Sequence, residues 1–192
     1  MKTQVILIFT FLVLIPKVHF GQSDSIQKRT LAKEDSLNIQ IIRISECEKH
    51  KNYYYVINNK DSILFGNTDR CIAQDPLDYR ESVKLDFRQL NKMGSSELIL
   101  EYEYSGDHLY TGYHKEIIII NLDSMEIMFM TEIEARGQHF YGEELGEHYG
   151  FRYDLTFTDS GNIIIKKPTE KDEYFIKDGK YSPITKKSKT KN

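Results

Sequence analysis

The stretch IIIINLDSMEIMFM, residues 117–130, decides the fold. Its first part, Ile117–Ile120, is an unbroken run of β-branched residues, which is typical of a central strand covered on both faces. Asp123 and Ser124 then supply a turn signal, because short polar side chains bond their own backbone. A second apolar run, MEIMFM, follows directly. The stretch therefore predicts an antiparallel hairpin at the centre of a sheet.

Strands with one buried and one exposed face are predicted on both sides of this hairpin, because apolar and polar residues alternate there. The side chains that share a face are Val83, Leu85 and Phe87; Leu98, Leu100, Tyr102 and Tyr104; and Phe151, Tyr153, Leu155 and Phe157. Further turn signals lie at Asn58–Asp61, Asp159–Asn162 and Asp178–Gly179. The pattern predicts nine or ten strands and no clear helix after residue 40. The fold class is all-β, with antiparallel hairpins forming a sandwich, a small barrel or a blade-like sheet.

The remaining segments predict the organisation of the chain. Residues 22–38 are polar and are expected to form a leader, either a short helix or a loose segment. Residues 39–185 form a single β-domain in which 66–82 and 134–150 are long irregular stretches. Residues 186–192, KKSKTKN, are expected to be a disordered lysine-rich tail.

The first residues predict export. Lys2 precedes an apolar run from Val5 to Ile15 that is broken only by Thr10 and ends at Pro16. This run is shorter than the roughly 20 residues that cross a bilayer, and a basic start with a short apolar core is typical of a signal peptide. Residues 1–21 are therefore predicted to be a signal peptide, and the alternative is a buried N-terminal strand. No later run reaches membrane length, so a secreted or periplasmic location is expected, with no transmembrane segment in the mature chain.

The charge balance argues against nucleic acid as a partner. The chain has 26 basic and 29 acidic side chains, and removing the signal peptide with Lys2 and Lys17 changes the formal net charge from −3 to −5. Four further lysines lie in the tail, so the body before it is more acidic still. Sequence-independent nucleic-acid binding depends on basic side chains that neutralise phosphates.

The only two cysteines, Cys47 and Cys71, both lie in the part predicted to be exported. An oxidising compartment favours a disulfide between them. The alternatives are a metal pair or a reactive thiol, but zinc sites usually need four closely spaced ligands and the chain has no CxxC.

The segment QLNKMGSSELIL, residues 89–100, resembles the acidic loop and strand of FG-GAP or VCBS-type repeats, which occur in integrin-like β-propellers and in exported bacterial proteins. The resemblance covers about residues 83–133. It implies a blade-like sheet and a calcium loop, in which Asn91, Gly94 and Glu97 match the pattern. Gln89 and Met93 replace two of its carboxylates, and calcium needs six to eight oxygen ligands. A tight turn at Gly94, capped by Asn91, is the expected structure, and no metal is predicted.

Two segments rich in Tyr, His and Glu supply the candidate ligand-binding residues. Aromatic residues in the first segment fit a sugar- or peptide-binding surface or ordinary packing at a strand end. Histidines and carboxylates in the second fit a zinc or acid–base site, or a solvated acidic loop. The candidates are Tyr104, His108, Tyr110, Tyr113 and His114 in the first segment, and His139, Glu143, Glu147 and His148 in the second.

No motif predicts catalysis. The chain lacks GxSxG, HExxH and a glycine-rich phosphate loop. Glu101 and Glu103 form a carboxylate pair, but such pairs are usually exposed residues of a strand. No catalytic residue and no cofactor are therefore predicted. The leading hypothesis is an exported, non-catalytic binding or accessory domain whose partner is a cell-envelope glycan or protein. The alternatives are a hydrolase acting on a cell-envelope polymer and an exported inhibitor or immunity-type protein.

Overall fold

The protein is built of three antiparallel β-sheets stacked in layers. The structure, a computed structural model, describes residues 26–68, 80–90, 96–105, 112–141 and 144–184, and the side chains of all of these except 138–147. The predicted all-β class of antiparallel hairpins is confirmed. None of the three sheets closes into a barrel, so the small-barrel alternative is wrong. Within the described ranges there is no helix long and apolar enough to cross a membrane.

The first sheet has four strands in the order β1-β2-β3-β4. Part of the polar stretch 22–38 belongs to it, so the sheet begins before Ile39. The β3–β4 turn forms where it was predicted, because Asn58 Oδ1 accepts hydrogen bonds from the backbone N–H of Lys60 and Asp61 at 2.8 and 2.7 Å. The strands are β1 (Ile26–Glu34), β2 (Ile39–Glu46), β3 (Lys51–Ile57) and β4 (Ser62–Thr68).

The central sheet has five strands in the order β5-β6-β7-β8-β9. Its central hairpin turns at the predicted place, because Asn121 Oδ1 accepts hydrogen bonds from the N–H groups of Asp123 and Ser124 at 2.9 and 3.0 Å. The strands are β5 (Arg80–Arg88), β6 (Glu97–Ser105), β7 (Tyr113–Asn121), β8 (Glu126–Tyr141) and β9 (Glu144–Arg152).

The prediction that 134–150 is an irregular loop is wrong, because most of this segment forms the outer part of the β8–β9 hairpin. Its register pairs Arg136 with Gly150 and Gly137 with Tyr149. Glycine has low strand propensity and offers no side chain to the alternating pattern. The sequence therefore gives no clear strand signal for the outer part of the β8–β9 pair.

The third sheet has four strands in the order β10-β11-β12-β13. The chain passes into it from the central sheet at Tyr153, whose N–H donates to Ile133 O at 2.8 Å. The predicted turns at Asp159–Asn162 and Asp178–Gly179 are confirmed as hairpin connections. The strands are β10 (Asp154–Phe157), β11 (Ile163–Lys166), β12 (Lys171–Lys177) and β13 (Lys180–Pro183).

The central sheet lies between two hydrophobic cores. Ile118 and Ile120 pack in the first core, against the first sheet, and Ile117 and Ile119 pack in the second core, against the third sheet. All four side chains are at most 5% exposed. The prediction of a central strand covered on both faces is therefore confirmed.

Candidate ligand-binding groove

The first core changes from aliphatic to polar towards one end of the sandwich. The change occurs at the same level on several strands, so polar side chains from both sheets converge there. On each of four strands, aliphatic side chains that face the core are followed by polar or aromatic ones on the same face. The pairs of sets are Ile39 and Ile41 followed by Arg43 in β2, Val83 followed by Glu81 in β5, Leu98 and Leu100 followed by Tyr102 and Tyr104 in β6, and Ile120 and Ile118 followed by Glu116 and His114 in β7.

A cavity of about 410 Å³, which we call the groove, opens beside this polar end. It lies between β4 and the face of the central sheet that carries Met130. The four-stranded first sheet covers Ile118 completely, but Met130, the residue paired with it on β8, is 52% exposed. The lining residues are Tyr54, Leu64, Phe65, Gly66, Asn67, Thr68, Tyr102, Tyr104, Glu116 and Met130.

The inner wall of the groove is a cluster of packed aromatic rings. Tyr54 and Tyr102 have ring centroids 5.2 Å apart, and Tyr104 stacks between Tyr102 at 5.3 Å and His114 at 4.8 Å. Burial and the nearby Glu116 and Glu132 raise the pKa of the Tyr104 hydroxyl well above its ordinary value. Tyr104 thus packs against a ring of its own strand and a ring of β7 at this wall of the groove.

Two carboxylates at the polar end, Glu116 and Glu132, have no lysine or arginine partner among the described residues. Glu116 and Glu132 are directly paired across β7 and β8, an arrangement that places like charges opposite each other. Glu132 Oε1 lies 2.6 Å from His114 Nδ1, whereas Glu116 has no hydrogen bond or ion pair with any described residue. Burial and the charge of Glu132 raise the pKa of Glu116, and His114 opposes this change.

The opposite face of the same strands has a contrasting arrangement. Glu101 contacts Lys115 at 2.8 Å and Lys84 at 2.9 Å, and Glu103 contacts Lys115 at 3.2 Å. The carboxylate pair considered as catalytic from the sequence is therefore neutralised by lysines of neighbouring strands. Glu116 and Glu132 are not neutralised by a lysine or arginine in the part of the chain that the structure describes.

A buried ion pair links the first sheet to the central sheet on the side opposite the groove. Arg43 and Glu81 are in contact, with side chains that are 7% and 3% exposed, and Arg29 Nη1 lies 3.7 Å from the same oxygen of Glu81. These contacts join β1 and β2 of the first sheet to β5 of the central sheet. They hold the two sheets together on the side away from β8.

The two segments predicted to bind ligand meet at the polar end, because the register pairs Tyr113 with Arg136 and His114 with Ala135. Of the predicted residues, Tyr104 and His114 stack at this end of the groove. Tyr113 instead lies under the Arg136 guanidinium at 4.8 Å, and His148 is exposed on β9. His139 and Glu147 have strand positions without described side chains, and His108, Tyr110 and Glu143 lie outside the described residues.

The predicted calcium loop is described only at its ends. Gln89 is exposed, and Asn91, Met93 and Gly94 lie outside the described residues. Glu97 is fully buried, and its Oε2 accepts a hydrogen bond from Leu90 N–H at 2.7 Å. This carboxylate thus bonds the backbone of its own loop. In the described part of the chain, no group of three potential ligands is placed to hold a metal ion.

The predicted disulfide is likewise described at one end only. Cys47 is buried and begins a short 3₁₀ turn, Cys47–Lys49, after β2. Cys71 lies outside the described residues, so the disulfide stays a prediction.

The sequence reasoning missed Glu116, Glu132, Met130 and the β4 residues of the groove. A signal for Glu116 was present. Counting back by two from Ile120 and Ile118 puts Glu116 and then His114 on the face that Tyr104 shares. The role of Met130 had no such signal, because its exposure depends on where the first sheet ends.

Comparisons with protein-family models, with curated proteins and with solved structures gave no significant match. The resemblance to FG-GAP or VCBS-type repeats therefore stays a prediction.

Proposed function

We propose that the chain is an exported, non-catalytic binding protein that takes its ligand in the groove. The observation that carries this proposal is that, among the described residues, the first sheet has four strands and the central sheet has five. The central sheet extends past the first sheet and leaves a cavity in which an exposed methionine, Met130, lies near Glu116, a carboxylate that has no partner among the described residues. An apolar cavity with a few polar groups is the usual form of a binding site.

The surroundings of the groove support binding more than catalysis. Tyr104 packs against two other rings, and Glu101 and Glu103 form ion pairs with lysines on the other face of the sheet. The proposed partner is a cell-envelope glycan or protein, since the chain carries a predicted signal peptide. The same prediction supports a disulfide and a secreted or periplasmic location.

Binding is tested by NMR with the isotope-labelled full chain and two envelope fractions, soluble glycan fragments and extracted proteins. One of them is expected to shift amide signals of β4 and β8. Met130→Lys, which puts a charge into the groove, is expected to abolish the shifts. Leu37→Lys is the matched control, because Leu37 is 45% exposed in the β1–β2 turn. Shifts confined to other strands, or no shifts with either fraction, would contradict the proposal.

Export is tested separately by fractionating the producing cells and sequencing the N-terminus of the protein. We expect the protein outside the cytoplasm, beginning shortly after residue 21. A cytoplasmic chain that retains residues 1–21 would contradict export and leave the groove unaffected.

A second candidate is the hydrolase, favoured by one observation. His114 Nδ1 lies 2.6 Å from Glu132 Oε1, and a carboxylate that orients an imidazole is one element of acid–base catalysis. This candidate requires turnover of an envelope polymer that is lost in His114→Gln. Turnover that survives this substitution would exclude His114 as the base. The inhibitor or immunity-type alternative needs a protruding loop, and connections 69–79 and 106–111 lie outside the described residues.

A further inference from the structure

Strand β4 is an edge of the first sheet within the described part of the chain. It pairs with β3 alone, and five consecutive β4 residues, Leu64–Thr68, line the groove. A bulge at Phe65 turns that ring into the core, and beyond it Gly66–Thr68 pair regularly with Asn52–Tyr54. An edge strand presents backbone N–H and C=O groups that another strand can pair with.

The groove lies where a fifth strand of the first sheet would lie. The first sheet covers Ile118 and Ile120 on β7 but leaves Met130 on β8 exposed. A strand added beside β4 would lie next to that edge, over β8. Its inward side chains would cover Met130, as the neighbouring strands cover the isoleucines.

The charge at the groove specifies one side chain of the added strand. On β8, Met130 and Glu132 are two residues apart. Their partners on β7 share one face of the sheet, where Ile118 packs in the first core and Glu116 lines the groove. Side chains two residues apart on a strand also share a face. An added strand with an apolar residue over Met130 therefore places the residue two positions away near Glu116 and Glu132. A lysine or arginine there would supply a cation that the described residues do not offer to these carboxylates.

We propose that an extended segment of a partner protein adds to β4 as a fifth strand, with an apolar side chain on Met130 and a lysine or arginine two residues away at Glu116 and Glu132. This inference rests on the proposed function and names its ligand class. Main-chain hydrogen bonds to β4 supply affinity, and the two side chains supply specificity. The acidic pair also selects against partners with an acidic residue at that place.

The test is a selection of phage-displayed random nine-residue peptides on the immobilised full chain. We expect the selected peptides to share a lysine or arginine two positions from an apolar residue. A synthetic peptide of that kind should shift amide signals of Gly66–Thr68 and of β8. Replacing its basic residue by glutamate, or substituting Glu116→Gln in the protein, should weaken binding at least about ten-fold. Glu173→Gln, on the third sheet, is the matched control and should leave binding unchanged.

Each other outcome overturns the inference. Selected peptides that are acidic, or that lack the two-residue spacing, would exclude recognition by the carboxylate pair. A failure to enrich any peptide would exclude strand addition, and a dimer that pairs two β4 edges would assign the edge to a second copy of the chain. Glycan fragments that shift the groove signals while peptides do not would overturn only the ligand class and keep the groove as the binding site.

Discussion

Glu97 is a fully buried carboxylate at the first residue of β6, and it accepts the Leu90 N–H at 2.7 Å. The same segment resembles a calcium loop in sequence because Asn91, Gly94 and Glu97 match the pattern of FG-GAP or VCBS-type repeats. Inside the protein, that carboxylate closes the connection between β5 and β6. A buried acid at a loop end therefore has a structural role here that the sequence motif alone does not distinguish from metal binding.

We expect Glu97→Ala to lower the free energy of unfolding by about 1–3 kcal/mol, because Leu90 N–H would be buried without this acceptor. Equilibrium urea denaturation measures the change. Glu97→Gln keeps an oxygen acceptor and should lose clearly less. Equal losses for the two variants would show that the hydrogen bond to Leu90 is not the important contact.

Glu116 predicts a dependence of stability on pH. Burial and the charge of Glu132 raise its pKa above the ordinary 4.5, so the folded chain holds this proton more tightly than the unfolded chain. Ionising Glu116 therefore destabilises the fold as pH rises from 4.5 through the raised pKa. Glu116→Gln should have a similar melting temperature near pH 4 and one a few degrees higher at pH 8.

Glu101→Gln is the control of opposite sign for this prediction. Burial opposes ionisation of Glu101, but Lys115 and Lys84 outweigh it and lower its pKa. The ionised form is thus favoured by folding, and the variant should be less stable than the parent at pH 8. Parallel melting curves of both variants from about pH 4 to pH 8 measure the difference. A loss of stability in Glu116→Gln at pH 8 would contradict the assignment.

At the scale of elements, two turn glycines have positive φ but differ in the space around them. Substituting each one therefore distinguishes the cost of backbone strain from the cost of a steric clash. Gly161 has φ +80° in the β10–β11 turn, and Gly179 has φ +75° in the β12–β13 turn. A Cβ at Gly161 would lie 1.9 Å from Leu90 O, whereas at Gly179 it would meet nothing within 4 Å. The β10–β11 turn thus packs closely against the backbone of the connection that Glu97 closes.

We expect Gly179→Ala to lower the free energy of unfolding by about 1 kcal/mol, which is the penalty for an alanine in the left-handed conformation. Gly161→Ala should cost about 1–3 kcal/mol more, because backbone must move to admit the methyl group. Urea denaturation of both variants gives the difference directly. Similar losses of unfolding free energy in the two variants would mean that the β10–β11 turn moves away from the backbone of Leu90 at little cost.

The elements that the sequence predicted well depend on local signals. Asn58 and Asn121 form their turns with their own side chains, so neighbouring residues determine the hairpins. Strand β1 was missed because most of its side chains are exposed, which leaves no alternation to detect. The 151–157 segment alternates as predicted, yet it belongs to two sheets, because the chain changes sheet at Tyr153.

At the scale of the whole molecule, the groove could not be predicted because it depends on the stacking of sheets. Glu116 and Glu132 are brought together by strand register, whereas Met130 is exposed because the first sheet stops short of β8. Neither the number of strands in a sheet nor the offset between two stacked sheets can be predicted from a short stretch of sequence. The meeting of segments 104–114 and 134–150, by contrast, follows from consecutive hairpins.

The disulfide predicted between Cys47 and Cys71 would also act at the scale of the whole molecule. Cys47 directly follows β2 of the first sheet, and Cys71 lies between β4 and β5 in the sequence, so the bond would tie the first sheet to the connection that leads to the central sheet. A loop of this length stabilises a fold by about 3 kcal/mol in the chain-entropy model. We expect the chain, purified without reductant, to show no reactive thiol until it is reduced in denaturant, and reduction to lower its melting temperature. The double variant Cys47→Ser with Cys71→Ser should melt at the temperature of the reduced chain, with no further change on adding reductant. Two titratable thiols in the freshly purified, unreduced protein would contradict the bond.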